Sequence, residues 1–73
     1  MATVERLLEE LGLTAGDIVR STGISYEAFA RLVGGQRVKR KTAVRVLGAI
    51  NRERRRQGME PLSLSDLENI QVV

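Results

Sequence analysis

The stretch LTAGDIVRSTGISYEAFARLVGG, residues 13–35, predicts two short helices in close succession. Thr14 is followed three residues later by Asp17, which approximates the capping box that starts a helix. Gly23 predicts the end of this helix, since glycine readily adopts the left-handed conformation found at helix C-termini. The first helix of the stretch is therefore about two turns long.

A second helix begins only two or three residues after the first ends. Ser25 is a favoured N-cap residue. It is followed by apolar residues at helical spacing: Ala28, Phe29, Leu32 and Val33. Gly34 and Gly35 end this helix. Two short helices joined by a turn that contains glycine form a helix-turn-helix unit, in which the second helix can project into a groove.

Helices are also predicted on both sides of this unit. Before it, residues 3–11 place apolar side chains at helical spacing, with Thr3 as the N-cap and Gly12 as the stop. After it, a longer helix covers about residues 40–57 and ends at Gly58. Its last part, RERRRQG, contains no apolar residue and is expected to project into solvent.

The C-terminal tail, residues 59–73, is expected to pack on the domain or to mediate dimerisation. Ser65 followed by Glu68 is a capping-box pattern, which predicts a short turn of helix. Three apolar side chains are expected to contact the first or the long helix: Met59, Leu62 and Leu64. The last four residues, IQVV, fit a strand, a dimer contact or the start of a further segment.

Length and composition exclude several classes of function. A chain of 73 residues forms one small domain, which buries only about 60% of its unfolded surface. Without cysteine or histidine it lacks disulfides, thiolate metal sites, and the commonest zinc ligand and general base. No enzyme activity, metal or cofactor is therefore expected. Because no N-terminal stretch resembles a signal peptide or a membrane span, we expect a cytoplasmic protein.

Charge is distributed unevenly, although the net charge is only +3. Residues 31–56 contain ten Lys or Arg and one Glu, whereas residues 1–30 and 57–73 each carry a net charge of −3. A basic middle third between mildly acidic ends is typical of a protein that binds a polyanion. A solvated, Arg-rich helix face is the alternative.

Three of these cations occupy an unfavourable place. Lys39, Arg40 and Lys41 fall at or near the first turn of the long helix, where each misplaced cation costs about 0.3–1 kcal/mol. No capping residue precedes them, because the nearest candidate, Thr42, lies inside the helix. A nearby phosphate would make these charges favourable instead. We therefore interpret the segment as suited to binding a polyanion at some expense of stability. A solvated loop whose charges aid solubility is the alternative.

Residues 13–35 resemble the helix-turn-helix of the phage repressor and Cro (Xre-type) DNA-binding family. The similar positions are Leu13-Thr14, Ile18-Val19, Gly23, Ile24-Ser25, Phe29, Leu32 and Gly35. Residues 37–50 resemble the next helix of that family and of LacI-type repressors, and the helix over residues 3–11 favours the Xre type. The resemblance covers about residues 3–51. It implies an all-α, lambda-repressor-like bundle of four to five short helices, with a DNA-binding domain over residues 1–58 and its motif at about 14–35.

Two residues depart from the pattern of this family. Val19 stands where a small Ala is usual, so the two helices of the unit are expected to cross slightly farther apart. Ala15 stands where a Gln often contacts phosphate. The start of the first helix of the unit is therefore expected to contribute backbone N–H groups rather than that side chain.

The resemblance also implies which residues contact DNA. Base contacts are expected from the outward side chains of the second helix of the unit: Tyr26, Glu27, Ala30 and Arg31. Arg31 fits guanine O6 and N7, Glu27 fits cytosine N4, and Ala30 fits a thymine methyl. Phosphate contacts are expected from Thr14, Ser25, Gln36, Arg37, Lys39, Arg40 and Lys41.

These roles have simpler alternatives. Tyr26, which also fits a thymine methyl or a phosphate, can instead pack on the preceding helix. Glu27 can act only on the helix dipole, Ala30 can simply be a good helix former, and Arg31 can touch only phosphate. Thr14 and Ser25 are expected to act mainly as helix caps.

The predicted function is a sequence-specific double-stranded DNA-binding protein, a transcriptional repressor or regulator associated with the nucleoid. Double-stranded DNA is the expected partner, a homodimer is possible, and no membrane or small-molecule ligand is expected. One alternative is a protein-interaction module, such as an antitoxin or assembly adaptor, whose Arg-rich helix binds an acidic partner. Another is an engineered DNA binder on this scaffold. Four arginines near the end of the long helix can serve solubility or contact a dimer partner or flanking DNA: Arg52, Arg54, Arg55 and Arg56.

Overall fold

Four α-helices form, and the first three begin at capping side chains and end at glycines. The structure is a computed structural model that describes residues 2–73. Its helices are α1 (Val4–Leu11), α2 (Ala15–Thr22), α3 (Tyr26–Val33) and α4 (Arg40–Arg56). These bounds confirm the four predicted helices, including the helix-turn-helix unit formed by α2 and α3.

Side-chain caps hold the starts of the first three helices. The hydroxyls of Thr3, Thr14 and Ser25 each accept a hydrogen bond from a backbone N–H three residues on, at 3.2, 3.1 and 3.1 Å. At α2 the box is reciprocal, because the Thr14 N–H donates to the Asp17 carboxylate at 2.9 Å. Gly23 follows α2 with φ 76°, the left-handed conformation expected there.

The apolar faces of all four helices meet in one core. α2 packs on α3 and α4, and α1 packs on α4. Four core side chains have no exposed surface: Leu32, Ala43, Val46 and Ile50. Leu32 belongs to α3 and the other three belong to α4. Burial of Leu32 determines which side of α3 faces the core and therefore which side faces outward.

Short strands are present, so the prediction of an all-α fold is wrong in this respect. β1 (Ala2–Thr3) pairs in parallel with β3 (Leu67–Glu68), and β2 (Arg37–Val38) pairs in parallel with β4 (Gln71–Val72). Two residues are too few for an alternating pattern to be visible in a sequence. The fold is mainly helical, with two small parallel sheets.

The tail departs from the prediction at its turn. A 3-10 turn covers Leu64–Asp66, and the Asp66 carboxylate accepts hydrogen bonds from the Ser63 N–H at 2.8 Å and the Ser63 hydroxyl at 3.1 Å. The predicted box of Ser65 and Glu68 is wrong. Glu68 belongs instead to β3, because its neighbour Leu67 is buried in the core beside β1.

Asn51 joins the tail to α4. It is the one buried polar residue in the part of the chain that the structure describes. Its Nδ2 donates to the Leu62 carbonyl at 2.9 Å, and its Oδ1 accepts from the Leu62 N–H at 2.8 Å. Leu62 and Leu64 pack against the core as predicted, with Leu62 placed directly by these two bonds.

Met59 is an exception to that packing. Its side chain is exposed, because its N–H bonds to the Arg54 carbonyl at 2.7 Å after the chain reverses at Gly58, where φ is 83°. Of the alternatives for residues 70–73, the strand is confirmed as β4. Over residues 2–73, no helix has the length and apolar character needed to cross a bilayer.

Candidate nucleic-acid interface

α3 has a buried side and a free side. Phe29 and Leu32 lie in the core. The four predicted base-contact residues are all exposed: Tyr26, Glu27, Ala30 and Arg31. At about 100° per residue, these four fall within an arc of roughly 140° around the helix. α3 therefore presents one continuous face with an aromatic, an acidic, a small and a basic side chain.

Three cations from different elements meet beside this face. Arg31 of α3, Arg37 of β2 and Lys39 before α4 line one open hollow of ≈ 280 Å³, together with Ala28, Val38, Thr42 and Val73. No Asp or Glu side chain lines the hollow. Within residues 2–73, none of the three cations forms an ion pair, since the ion pairs found there involve Arg6, Arg20 and Arg56. The hollow therefore gathers three positive side chains that no acidic side chain neutralises.

Backbone bonds of the α3–α4 turn explain why Arg37 lies near Arg31. The Gln36 N–H donates to the Arg31 carbonyl at 2.9 Å, and the Gly35 N–H donates to the Leu32 carbonyl at 3.2 Å. Gly35 has φ 77°, a conformation that glycine adopts without strain. The chain thus folds back on the end of α3 before it enters β2.

The start of α4 carries the predicted mismatch of charge. Lys39 is its N-cap residue and makes no side-chain cap bond, and its first turn contains no acidic residue. The N–H groups of Arg40 and Lys41 have no acceptor within the helix, because the first turn of any α-helix leaves them free. Arg40, Lys41 and Gln36 are exposed but do not line the hollow.

A second polar cluster lies at the first turn of α2. A Cβ on residue 16 would lie 3.1 Å from the Tyr26 hydroxyl and 3.6 Å from both an Arg20 guanidinium nitrogen and the Thr14 hydroxyl. Gly16 therefore lets Tyr26 of α3 approach the α2 N-terminus. Hydrogen bonding from the Thr14 N–H lowers the pKa of Asp17, whose carboxylate also pairs with Arg20 at 2.7 Å.

Sequence reasoning missed the roles of Gly16 and Arg20 in this cluster. Glycine is unfavourable in a helix. Gly16, one turn before a solvent-facing Arg, is therefore a sequence signal that a side chain from elsewhere approaches the backbone of α2 closely. Thr14 and Ser25 both serve as caps, in agreement with the role that was expected to dominate. All seven predicted phosphate-contact residues are exposed: Thr14, Ser25, Gln36, Arg37, Lys39, Arg40 and Lys41.

The arginines near the end of α4 divide into two groups. Arg54 donates to the Glu60 carbonyl at 2.7 Å. Arg56 pairs with Glu53, and hydrogen bonds from Arg56 and Gln57 lower the pKa of Glu53 to about 2. Arg54 and Arg56 therefore form bonds within the molecule, although Arg56 is exposed, whereas Arg52 and Arg55 are exposed and form no ion pair with a described residue.

Arg45 is a further exposed cation that was not singled out from the sequence. Arg45 and Arg52 line a groove of ≈ 320 Å³ between α2 and α4, together with Ser21, Thr22, Gly48 and Ala49. Neither arginine forms an ion pair with a described residue. Their spacing of seven residues, about two helical turns, is the sequence signal that places the two arginines on the same face of α4.

No family model, curated protein or solved structure matches this chain. The resemblance to the phage repressor and Cro family therefore stays a prediction. Within residues 2–73, no group of three or more acidic or sulfur- or nitrogen-ligand side chains is placed to hold a metal ion.

Proposed function

We propose that this protein is a sequence-specific double-stranded DNA-binding protein, a transcriptional regulator of the phage repressor and Cro type. α3 would lie in the major groove, in a lambda-repressor-like arrangement. The observation that carries the proposal is the convergence of Arg31, Arg37 and Lys39, without an acidic side chain, beside the exposed face of α3. We also propose a cytoplasmic, nucleoid-associated protein that binds as a homodimer to a palindromic site.

Two phosphate-binding positions at opposite ends of α3 support this docking. The first is the start of α2, where free backbone N–H groups lie beside the hydroxyl of Tyr26 and the guanidinium of Arg20. The second is the basic segment from Arg37 to Lys41. An eight-residue helix is about 12 Å long, similar to the width of the major groove, about 12 Å. Phosphates on the two sides of the groove could therefore be held at once.

The side chains of α3 that lie between the two phosphate-binding positions would contact the bases. Arg31 can donate two hydrogen bonds to guanine, Glu27 can accept one from cytosine, and Ala30 can contact a thymine methyl. The Tyr26 hydroxyl lies close to the α2 start, so we assign Tyr26 to phosphate rather than to a base.

Selection of bound duplexes from a random pool tests this function directly. We expect one enriched, palindromic motif and an affinity that falls steeply between about 50 and 200 mM salt, because several phosphates are neutralised. An affinity that hardly changed over this range, or a pool without enrichment, would contradict the proposal.

Substitution of Arg31 tests the role of α3. Arg31→Ala should cost about 1–3 kcal/mol of binding free energy and relax specificity at one base position. Arg6→Ala is the matched control, because Arg6 lies on α1 and pairs with Glu10 at 3.7 Å. Equal affinities for the two variants, measured by fluorescence anisotropy, would remove α3 from the interface.

A protein-interaction module remains the second candidate, favoured by the groove between α2 and α4. Arg45 and Arg52 there are free to form forked bonds to carboxylates of an acidic partner. Charge reversal separates the two functions. Arg31→Glu with Lys41→Glu should abolish DNA binding, whereas Arg45→Glu with Arg52→Glu should abolish capture of an acidic partner and spare DNA binding.

A further inference from the structure

The last residues of the chain lie against the basic turn that follows α3. β4 pairs in parallel with β2, in the register Arg37 with Gln71 and Val38 with Val72. The Val73 N–H extends this pairing with a hydrogen bond of 3.0 Å to the Val38 carbonyl. We call residues 69–73 the C-terminal strap. The strap therefore supports one side of the segment that carries Arg37.

Asn69 contacts the beginning of the same turn. Its Nδ2 donates to the Val33 carbonyl at 3.4 Å, and its Oδ1 would lie 2.8 Å from a Cβ on residue 35. Asn69 has φ 58° and is the one non-glycine residue with positive φ among residues 2–73. Such a conformation persists where the surroundings determine it, and Asn tolerates it better than most residues.

These contacts flank a turn whose own backbone hydrogen bonds to α3 extend only as far as Gln36. Gly34 and Gly35 make the backbone permissive, and the α4 start that follows lacks a side-chain cap. Val73 itself lines the hollow that contains the three cations.

We propose that the C-terminal strap is a positioning element for DNA binding, with Asn69 as its positioning residue. It holds the turn from Gly34 to Lys39 so that Arg37 and Lys39 lie beside Arg31 before DNA arrives. This inference rests on the proposed function. It assigns the strap a role separate from Leu67, whose burial stabilises the core.

A matched pair of proline variants tests the strap. In the parallel register, the Val73 N–H faces the loop strand, whereas the Val72 N–H faces away from it. Val73→Pro removes the bonded donor, and Val72→Pro removes an N–H that makes no bond to β2. Both substitutions place proline in the same extended segment, so they differ mainly in this bond.

Amide hydrogen exchange in the free protein is the first measurement, and it needs no DNA. We expect Asn69→Ala and Val73→Pro to speed exchange at Gln36 and Val38 by about tenfold, with little change at the core residue Ile50. Val72→Pro should leave all three rates unchanged. Asn69→Gly preserves the left-handed backbone but removes the side-chain contacts, so it should give an intermediate rate.

DNA binding at several salt concentrations is the second measurement. A disordered loop lowers affinity about three- to tenfold and reduces the slope of log K against log salt by about 1–2, because one or two phosphate contacts are lost. If Asn69→Ala only destabilised the fold, a smaller fraction of the protein would be folded and able to bind DNA. The slope of log K against log salt would then stay unchanged.

The possible failures are distinguishable. Unchanged exchange at Gln36 and Val38 in Asn69→Ala would show that the strap does not hold the turn. Faster exchange with an unchanged salt slope would show that the strap orders the turn without serving DNA contact. Either result overturns the inference while DNA binding by the unaltered chain stands. Absence of binding by the unaltered chain would instead defeat the proposed function and, with it, the DNA role of the strap.

Discussion

The first turn of α2 and the first turn of α4 have opposite chemistry. α2 begins with the reciprocal box of Thr14 and Asp17, and it has an acidic residue where the helix dipole favours one. α4 begins at Lys39 without a side-chain cap or an acidic residue, and Arg40 and Lys41 add like charge to the positive end of the helix. The first start is stabilised by its own cap, whereas the uncapped, basic second start agrees with our proposal that it binds a polyanionic ligand.

The largest expected effect comes from giving α4 the kind of start that α2 has. Lys39→Asp introduces a favoured N-cap at a residue that is already extended, with φ −69° and ψ 145°. We expect it to stabilise the protein by about 1 kcal/mol and to weaken DNA binding about tenfold or more. Thermal unfolding and fluorescence anisotropy measure the two quantities.

Lys39→Ser is the control for that change. Serine caps the helix without adding a negative charge, so it should give a similar gain in stability and a smaller loss of affinity. If either variant bound DNA as tightly as the unaltered chain, the α4 start would not be a phosphate site.

The converse change removes the cap from α2. Thr14→Ala deletes the hydroxyl that accepts from the Asp17 N–H at 3.1 Å. We expect a loss of about 1 kcal/mol, seen as a decrease of roughly 4–8 °C in Tm, with DNA affinity reduced by less than in Lys39→Asp. Thr14→Ser retains the acceptor and should restore Tm. A Tm unaffected by Thr14→Ala would contradict the role of this cap.

The two helix starts also show what a sequence can and cannot predict. Caps and glycine stops act over three or four residues, so the bounds of α1, α2 and α3 followed from local pattern alone. The exposed face of α3 followed from helical spacing. The helix bounds and the exposed face of α3 each depend only on residues a few positions apart in the sequence.

Features that depend on distant partners were missed. Arg37 and Val38 form a strand only because Gln71 and Val72 lie beside them. A two-residue strand carries no signal of its own, and its pairing is set by where the core places Leu67 and the tail. The approach of Tyr26 to Gly16 similarly depends on how α2 and α3 cross.

Acidic pH should affect the two starts differently. Hydrogen bonding lowers the pKa of Asp17 below its ordinary value of 3.8, so its stabilising effect is present at neutral pH and is lost as pH falls below that value. No carboxylate belongs to the first turn of α4. We therefore expect the protection factors of the Thr14 and Asp17 amides, taken relative to the intrinsic exchange rate at each pH, to fall on acidification more than those at the start of α4.

Asp17→Asn checks the origin of this pH dependence. The amide cannot titrate, so the difference between the two helix starts should disappear in this variant. A difference that survived in Asp17→Asn would assign it to another carboxylate, and Asp66 and Glu53, whose pKa values are also lowered, are the next to test.

The smallest expected effect concerns how closely α2 and α3 approach. Gly16→Ala adds a Cβ that would lie 3.1 Å from the Tyr26 hydroxyl, so the ring must move by a few tenths of an ångström. Because Ala favours a helix more than Gly, stability should stay level or rise by up to about 1 kcal/mol.

DNA affinity should nevertheless fall about two- to threefold in Gly16→Ala, since the Tyr26 hydroxyl no longer lies over the α2 N–H groups that we assign to phosphate. Tyr26→Phe is the matched variant, because it removes the hydroxyl without displacing the ring. If the two effects arise from the same phosphate, the double variant should lose no more affinity than the larger of the single losses. Additive losses would mean that Gly16 and Tyr26 act on DNA separately, and the α2 start would then lose its place as the second phosphate-binding position.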